Sequence, residues 1–155
     1  SNLGGAGGFK EGLRIASQSG AGWVWLMDDD CIPYSDTLSA LMSAAQTAEK
    51  HGPAPSFLAS SVFGPKDEPM NVPSIDRRPT KNGYPDWYVG LANGMVEIES
   101  ATFVSLLINA QAISKLGLPV GSFFIWGDDS EYTTRTLWGQ AACCINVLTQ
   151  RAWTS

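Results

Sequence analysis

The feature that most constrains this chain is the run Trp23-Val24-Trp25-Leu26-Met27, which passes without transition into Asp28-Asp29-Asp30. Five consecutive apolar residues bounded by polar ones read as a short buried strand. Trp23 and Trp25 alternate with Val24 and Leu26, so at least one indole is expected in the core. Three adjacent carboxylates repel one another, and the arrangement costs stability unless water or a cation screens it. At the carboxyl end of a buried strand they face the crevice where α/β sheets bind ligands. Hard oxygen atoms of this kind suit Mg²⁺ or Mn²⁺, with the remaining coordination left to water and phosphate. The same residues also suit a solvated acidic turn whose Asp caps the next helix. The order of strand, carboxylates, Pro33 and helix favours the metal.

The rest of the chain alternates helical and strand-like patterns, which places it in the α/β class. Asn2 to Gly8 reads as a Gly-rich turn, followed by a helix from Phe9 to about Ser17, with Gly20 or Gly22 as its stop. Leu38, Leu41, Met42, Ala45 and Ala48 form one apolar stripe on a helix ending near His51-Gly52. Phe57 to Val62 is a second buried strand, and Met95 to Ile108 gives one or two more, broken near Glu99-Ser100. A short helix, Asn109 to Leu116, stops at Gly117. A fourth helix runs from about Ser130 to Trp138 and closes at Gly139, before a final strand from Ala142 to Leu148. Gly64 to Gly94 is an irregular stretch carrying Pro65, Pro69, Pro73, Pro79 and Pro85. Loops this long in a compact domain usually act as lids or binding loops. Trp87 and Tyr88 lie in it, where exposed aromatics suit carbohydrate contact as well as packing.

Composition excludes several classes. The 155 residues suffice for one domain with its own core, and 44% apolar content argues against disorder. A net charge of −5 leaves no basic stripe for nucleic acid. Cys31, Cys143 and Cys144 are poor material for a disulfide framework and read as reduced thiols. No run approaches the ~18 apolar residues of a membrane span, and no signal peptide is visible. The chain opens on a Gly-rich segment, as expected of a piece that lacks its domain's first strands.

Two further motifs carry chemistry. In Trp126-Gly127-Asp128-Asp129-Ser130-Glu131, two carboxylates stand at a helix start, where the dipole stabilises negative charge. One can serve as general base toward a sugar hydroxyl. The competing reading is a helix cap with first-turn acids, Glu131 completing it. Asn2-Leu3-Gly4-Gly5-Ala6-Gly7-Gly8-Phe9 is not a P-loop, since no Gly-Lys-Ser/Thr follows. Nor is it a dinucleotide fingerprint, since Lys10 stands where a third Gly is needed. Closely spaced glycines before a helix still let backbone N–H groups approach a phosphate or sugar, and a merely flexible turn is the alternative.

In this order and spacing, the three segments resemble glycosyltransferase family 2, and bacterial galactofuranosyltransferases most closely, with rhamnosyltransferases next. The resemblance runs from Asn2 to about Gln140. It implies a GT-A fold, a mixed and mostly parallel sheet flanked by helices, with residues 1–155 as the larger C-terminal part of one catalytic domain. It implies that Asp28 and Asp30 hold Mn²⁺ or Mg²⁺ at the donor diphosphate, with Asp29 beside the nucleotide or sugar. Asn2, Gly4, Gly5, Gly7 and Gly8 would lie against the donor, UDP-galactofuranose by this resemblance. Asp129 would be the catalytic base. Asp128, Trp126 and Glu131 would shape the acceptor and sugar pocket, joined by Trp87 and Tyr88.

The implied reaction is a metal-dependent, inverting displacement onto a lipid-linked or surface glycan, in the cytoplasm at the inner face of the membrane, with at most peripheral membrane contact. Many relatives place a metal-binding His downstream of the base, but Leu148-Thr149-Gln150-Arg151-Ala152-Trp153 contains none. Either that ligand lies beyond Ser155 or water completes the site. His51 reads as an exposed or capping residue. Transfer of rhamnose from dTDP-rhamnose, a carbohydrate- or nucleotide-binding module without catalysis, and a Mg²⁺-dependent phosphohydrolase are the rival readings. The last lacks a strand-end Asp-x-Asp-x-Thr/Val pattern.

Overall fold

The computed structural model describes residues 2–135 and, as backbone, 141–151. Its frame is a helical crossover. Strand β1 (Trp23–Met27) leads through the short β2 (Cys31–Pro33) and helix α2 (Thr37–His51) to β3 (Phe57–Phe63). Two short strands follow, β4 (Pro69–Met70) and β5 (Ser74–Ile75), then β6 (Met95–Ser100) and β7 (Ser105–Asn109). Helix α1 (Gly4–Ser17) precedes this frame, and α3 (Ala110–Leu116), α4 (Asp128–Arg135) and strand β8 (Ala141–Arg151) complete it.

The main strand order is β1-β7-β3-β8-β6-β5. The crossover makes β1 and β3 parallel in direction, but β7 inserts between them and runs against both. Leu106 is the Cα partner of Leu26 on one side and of Ala59 on the other. Among the described pairings only β3 with β8 is parallel. The mixed α/β class stands, with more antiparallel pairing among the described strands than the expected mostly parallel sheet. Alternation of helix and strand in sequence fixes strand direction across a crossover, not which strand becomes the neighbour.

Period-2 alternation sorts the sheet's side chains onto two faces. Val24 and Leu26 of β1, Phe57 and Ala59 of β3, and Leu106 and Ile108 of β7 share one core with Leu13 of α1, Ile113 of α3 and Tyr132 of α4. Leu58 and Leu107 turn to the other face and meet Leu41 and Ala45 of α2. Trp23 and Trp25 both pack there, and Trp25 Nε1 donates to Ser105 Oγ at 3.2 Å. On α2 the buried part of the stripe is Leu41 and Ala45, while Leu38 stands exposed in the first turn.

Helix α1 begins five residues before the expected Phe9, because the Gly-rich segment is itself helical. Intrinsic propensity disfavours this. Tertiary contact overrides it: Ala6 N–H donates to Phe124 O at 3.1 Å, and Asn2 Oδ1 accepts from Gly4 N–H at 2.9 Å. Helix α4 begins at Asp128, two residues before the expected Ser130. The expected stops at Trp138 and Gly139 lie outside the described residues, as do Gln140, Ala152 and Trp153. The long irregular stretch is tied to the sheet by β4, which pairs with β3, and by β5, which pairs with β6.

Candidate active site

The acidic strand end is a turn. Asp28 N–H donates to Val104 O at 3.3 Å, and Asp28 O accepts from Cys31 N–H at 3.3 Å. The second bond closes four residues between β1 and β2, a β-turn that Asp at the first position favours. Asp28 and Asp30 are half-buried and Asp29 is exposed. Cys31 Sγ lies 3.8 Å from Asp30 Oδ1.

The second acidic pair occupies the first turn of α4, behind Gly127 at φ 92. Asp128 is only 5% exposed, and its Oδ2 is buried without a hydrogen-bond partner. Burial pushes its carboxyl above the usual carboxylate range, and the charge of Asp129 pushes the same way. The backbone N–H groups of Asp128 and Asp129 oppose that shift. Asp129 is half-buried, with Oδ1 accepting from Ser130 N–H at 2.6 Å.

Helix α4 is anchored at three places. Thr133 Oγ1 accepts from Ala101 N–H at 3.2 Å and lies 2.8 Å from Asp129 O. Tyr132 OH donates to Gly117 O at 3.2 Å. Arg135 donates to Leu116 O and Leu118 O and pairs with Glu131 at 2.7 Å.

A cavity of about 220 Å³ joins the motifs. Of the sequence-predicted residues, Gly5, Asp28, Trp126, Asp128 and Asp129 line it together. Its wall also holds Phe9 and Phe103, whose rings meet at 4.9 Å, and Phe103 in turn meets Tyr132 at 5.9 Å. This aromatic file links α1 to α4. Trp126 stands 83% exposed at the cavity edge, free to cover a ligand.

The remaining predicted residues lie off that wall. Asn2 caps Gly4, Gly7 packs under Leu3, Gly8 and Asp29 are exposed, and Asp30 sits beside Cys31. Glu131 is engaged by Arg135. Trp87 and Tyr88 pack edge to face at 5.9 Å in the long loop, and Trp87 O accepts from Glu97 N–H. Sequence reasoning missed Ala6, Phe9, Asn71, Thr102, Phe103, Val104 and Ile125 as lining residues. Asn71, at φ 50 between β4 and β5, lies in the loop already marked for binding. Thr102 to Val104 carried no signal beyond the break near Glu99-Ser100.

A larger cavity of about 270 Å³ lies elsewhere, walled by Val62, Phe63, Met70, Val72, Ile75 and Ile98 among others. It has no titratable lining, unlike the smaller one. Among the described residues no group of three or more His, Cys, Asp and Glu gathers to enclose an ion. Mg²⁺ is characteristically held by one or two carboxylates with phosphate and water completing the shell. Asp28 on the cavity wall has the oxygen chemistry for that use, while Asp30, in the same turn, lies off that wall. His51 is exposed at the end of α2. No helix among the described residues is long and apolar enough to cross a membrane.

Residues 1–96 match the profile of the family described as Glycosyl transferase family 2. The chain belongs to that family. It is 33% identical over 137 residues to galactofuranosyltransferase GlfT1 of Mycolicibacterium smegmatis, covering 86% of this chain and 44% of the relative. It is 30% identical over 139 residues to the protein of the same name in Mycobacterium tuberculosis, covering 88% and 44%. The chain thus spans under half the length of the relatives it matches. Within the family-2 match lie α1 and the Asp28 to Asp30 turn, while the Asp128-Asp129 pair falls after it.

Proposed function

We propose that the protein containing this chain is a metal-dependent, inverting glycosyltransferase that moves galactofuranose from UDP-galactofuranose onto a lipid-linked or surface glycan. In this reading residues 1–155 form the larger C-terminal part of one GT-A catalytic domain, working in the cytoplasm at the inner face of the membrane. The observation that carries it is the shared cavity, where Asp28 from the strand-end turn faces the same space as Asp128 and Asp129. The curated relatives' name supplies the sugar.

Asp129 is the base. Its carboxylate is half-buried at the cavity wall and oriented by Ser130 N–H, and it takes the proton of the acceptor hydroxyl as that oxygen attacks the anomeric carbon. Asp128, buried at the same cavity wall with its Oδ2 unpaired, is placed to accept from a ligand hydroxyl. Trp126 covers the sugar. Asp28 and Asp30 would hold a Mg²⁺ or Mn²⁺, which when bound would supply positive charge toward the departing diphosphate. No protein acid is needed on that side.

The test uses the full-length protein. UDP release is followed from UDP-galactofuranose with Mn²⁺ or Mg²⁺ and a glycan acceptor, with and without EDTA, in the parent and Asp129→Asn. Metal-dependent release that vanishes in the variant is expected. Release only from dTDP-rhamnose would reassign the sugar, and no release from either donor would refute the transferase reading.

A further inference from the structure

The segment from Gly121 to Gly127 holds a backbone conformation that L-residues avoid. Phe124 has φ 66 and ψ −57, and Ile125 N–H donates to Phe123 O at 2.8 Å. This is a γ-turn of the rare, strained hand. The Phe124 side chain is 49% exposed, so its burial does not account for the turn. What the turn delivers is the Phe124 carbonyl, which accepts from Ala6 N–H at 3.1 Å.

The opposite side is shaped for that approach. Gly4 has φ +67, and a Cβ there would lie 2.1 Å from Phe124 O and 2.8 Å from Phe124 Cδ2. Gly121 also packs on α1, where a Cβ would meet Lys10 Cδ at 3.1 Å. Just beyond the turn, Trp126, Asp128 and Asp129 line the cavity opposite Gly5 and Ala6 of the same helix. Strain of this kind persists only where the surroundings over-determine it.

We propose that Gly4 is a positioning residue: it admits the Phe124 γ-turn onto the start of α1, and this clamp holds Asp128 and Asp129 across the cavity from Asp28. The space beside Gly4 is therefore filled by the chain's own backbone, not by a donor. The effect on turnover rests on the transferase reading; the clamp itself does not.

The test compares Gly4→Ala with Gly20→Ala in the full-length protein. Gly20 has φ +78 with open space around it, so its substitution brings the backbone strain without the clash. Gly4→Ala should lower kcat on the order of 100-fold, the scale of a small misplacement of catalytic groups. Its Kd for UDP with Mn²⁺ should stay at the parent value, and amide exchange across Phe123 to Asp129 should quicken. Gly20→Ala should lower Tm while kcat and that exchange stay unchanged. Parent kcat or parent exchange in Gly4→Ala would overturn the proposal.

If Gly4→Ala does not fold, the parent decides alone. Ala6 is the third residue of α1 and has no intrahelical acceptor. Its N–H should nevertheless be protected from exchange, and exchange at the rate of a free amide would overturn the clamp. Absence of turnover in the parent counts against the transferase reading only, because the exchange measurements still judge the clamp.

Discussion

Thr133 offers the cleanest test of what holds the acidic helix in place. It is fully buried, with Oγ1 accepting from Ala101 N–H at 3.2 Å. The hydroxyl has one proton, and the carbonyls of Asp129 and Ala101 stand at 2.8 and 3.1 Å to receive it. Thr133→Val replaces the hydroxyl with a methyl of similar size, so it opens no cavity and barely alters helix propensity. The loss is polar: Ala101 N–H stays buried without this acceptor, at about 1–3 kcal/mol. For a cooperative unit of 155 residues, the middle of that range lowers Tm by about 4–8 °C. Thr133→Ser keeps the hydroxyl and loses one methyl, about 1 kcal/mol. Urea titrations and thermal melts of both variants, read at unchanged m, decide the matter. If Thr133→Val matches the parent, or Thr133→Ser is the more damaging change, the hydroxyl is not the anchor.

Tyr132→Phe should cost about 1 kcal/mol through loss of the bond to Gly117 O, measured as a lower urea midpoint at neutral pH. Burial raises the Tyr132 phenol from 10.0 to about 12. The phenol's contribution is therefore complete below pH 10 and lost as pH rises toward about 12. The stability gap between parent and Tyr132→Phe should narrow across that interval, and a gap that widens would contradict the burial argument. Asp28→Ala should keep its thermal transition while losing the Mn²⁺-dependent part of UDP binding in calorimetry. Equal affinity in parent and variant would remove Asp28 from the metal site.

Local pattern sufficed wherever one element's own periodicity decided the outcome. β1 ran from Trp23 to Met27 as expected, and Leu41 and Ala45 were found buried on α2. The Asp28 turn and the Asp128-Asp129 pair do face one cavity, although nothing local in either segment requires it. What escaped were features imposed by distant chain. The glycines of α1 are helical because residues near Phe124 dock on them. β7 enters between β1 and β3, so neighbours joined by a crossover in sequence are separated in the sheet. Asn71 and Thr102 reach the site from a loop and a strand break that carry no catalytic signature of their own.

The different surroundings of Asp128 and Asp129 show how far a small error in a boundary can reach. Placed before a helix starting at Ser130, the two carboxylates are equivalent cap candidates, and nothing in their adjacency distinguishes them. Placed in the first turn of a helix starting at Asp128, they project about 100° apart. One must then turn into the protein and the other along its wall. Asp128 turns inward, where burial and the neighbouring charge favour its proton, and Asp129 stays half-buried at the cavity. The different burial of adjacent identical residues thus follows from the helix phase, which is set by Gly127 at φ 92 and by the Thr133 anchor one turn later.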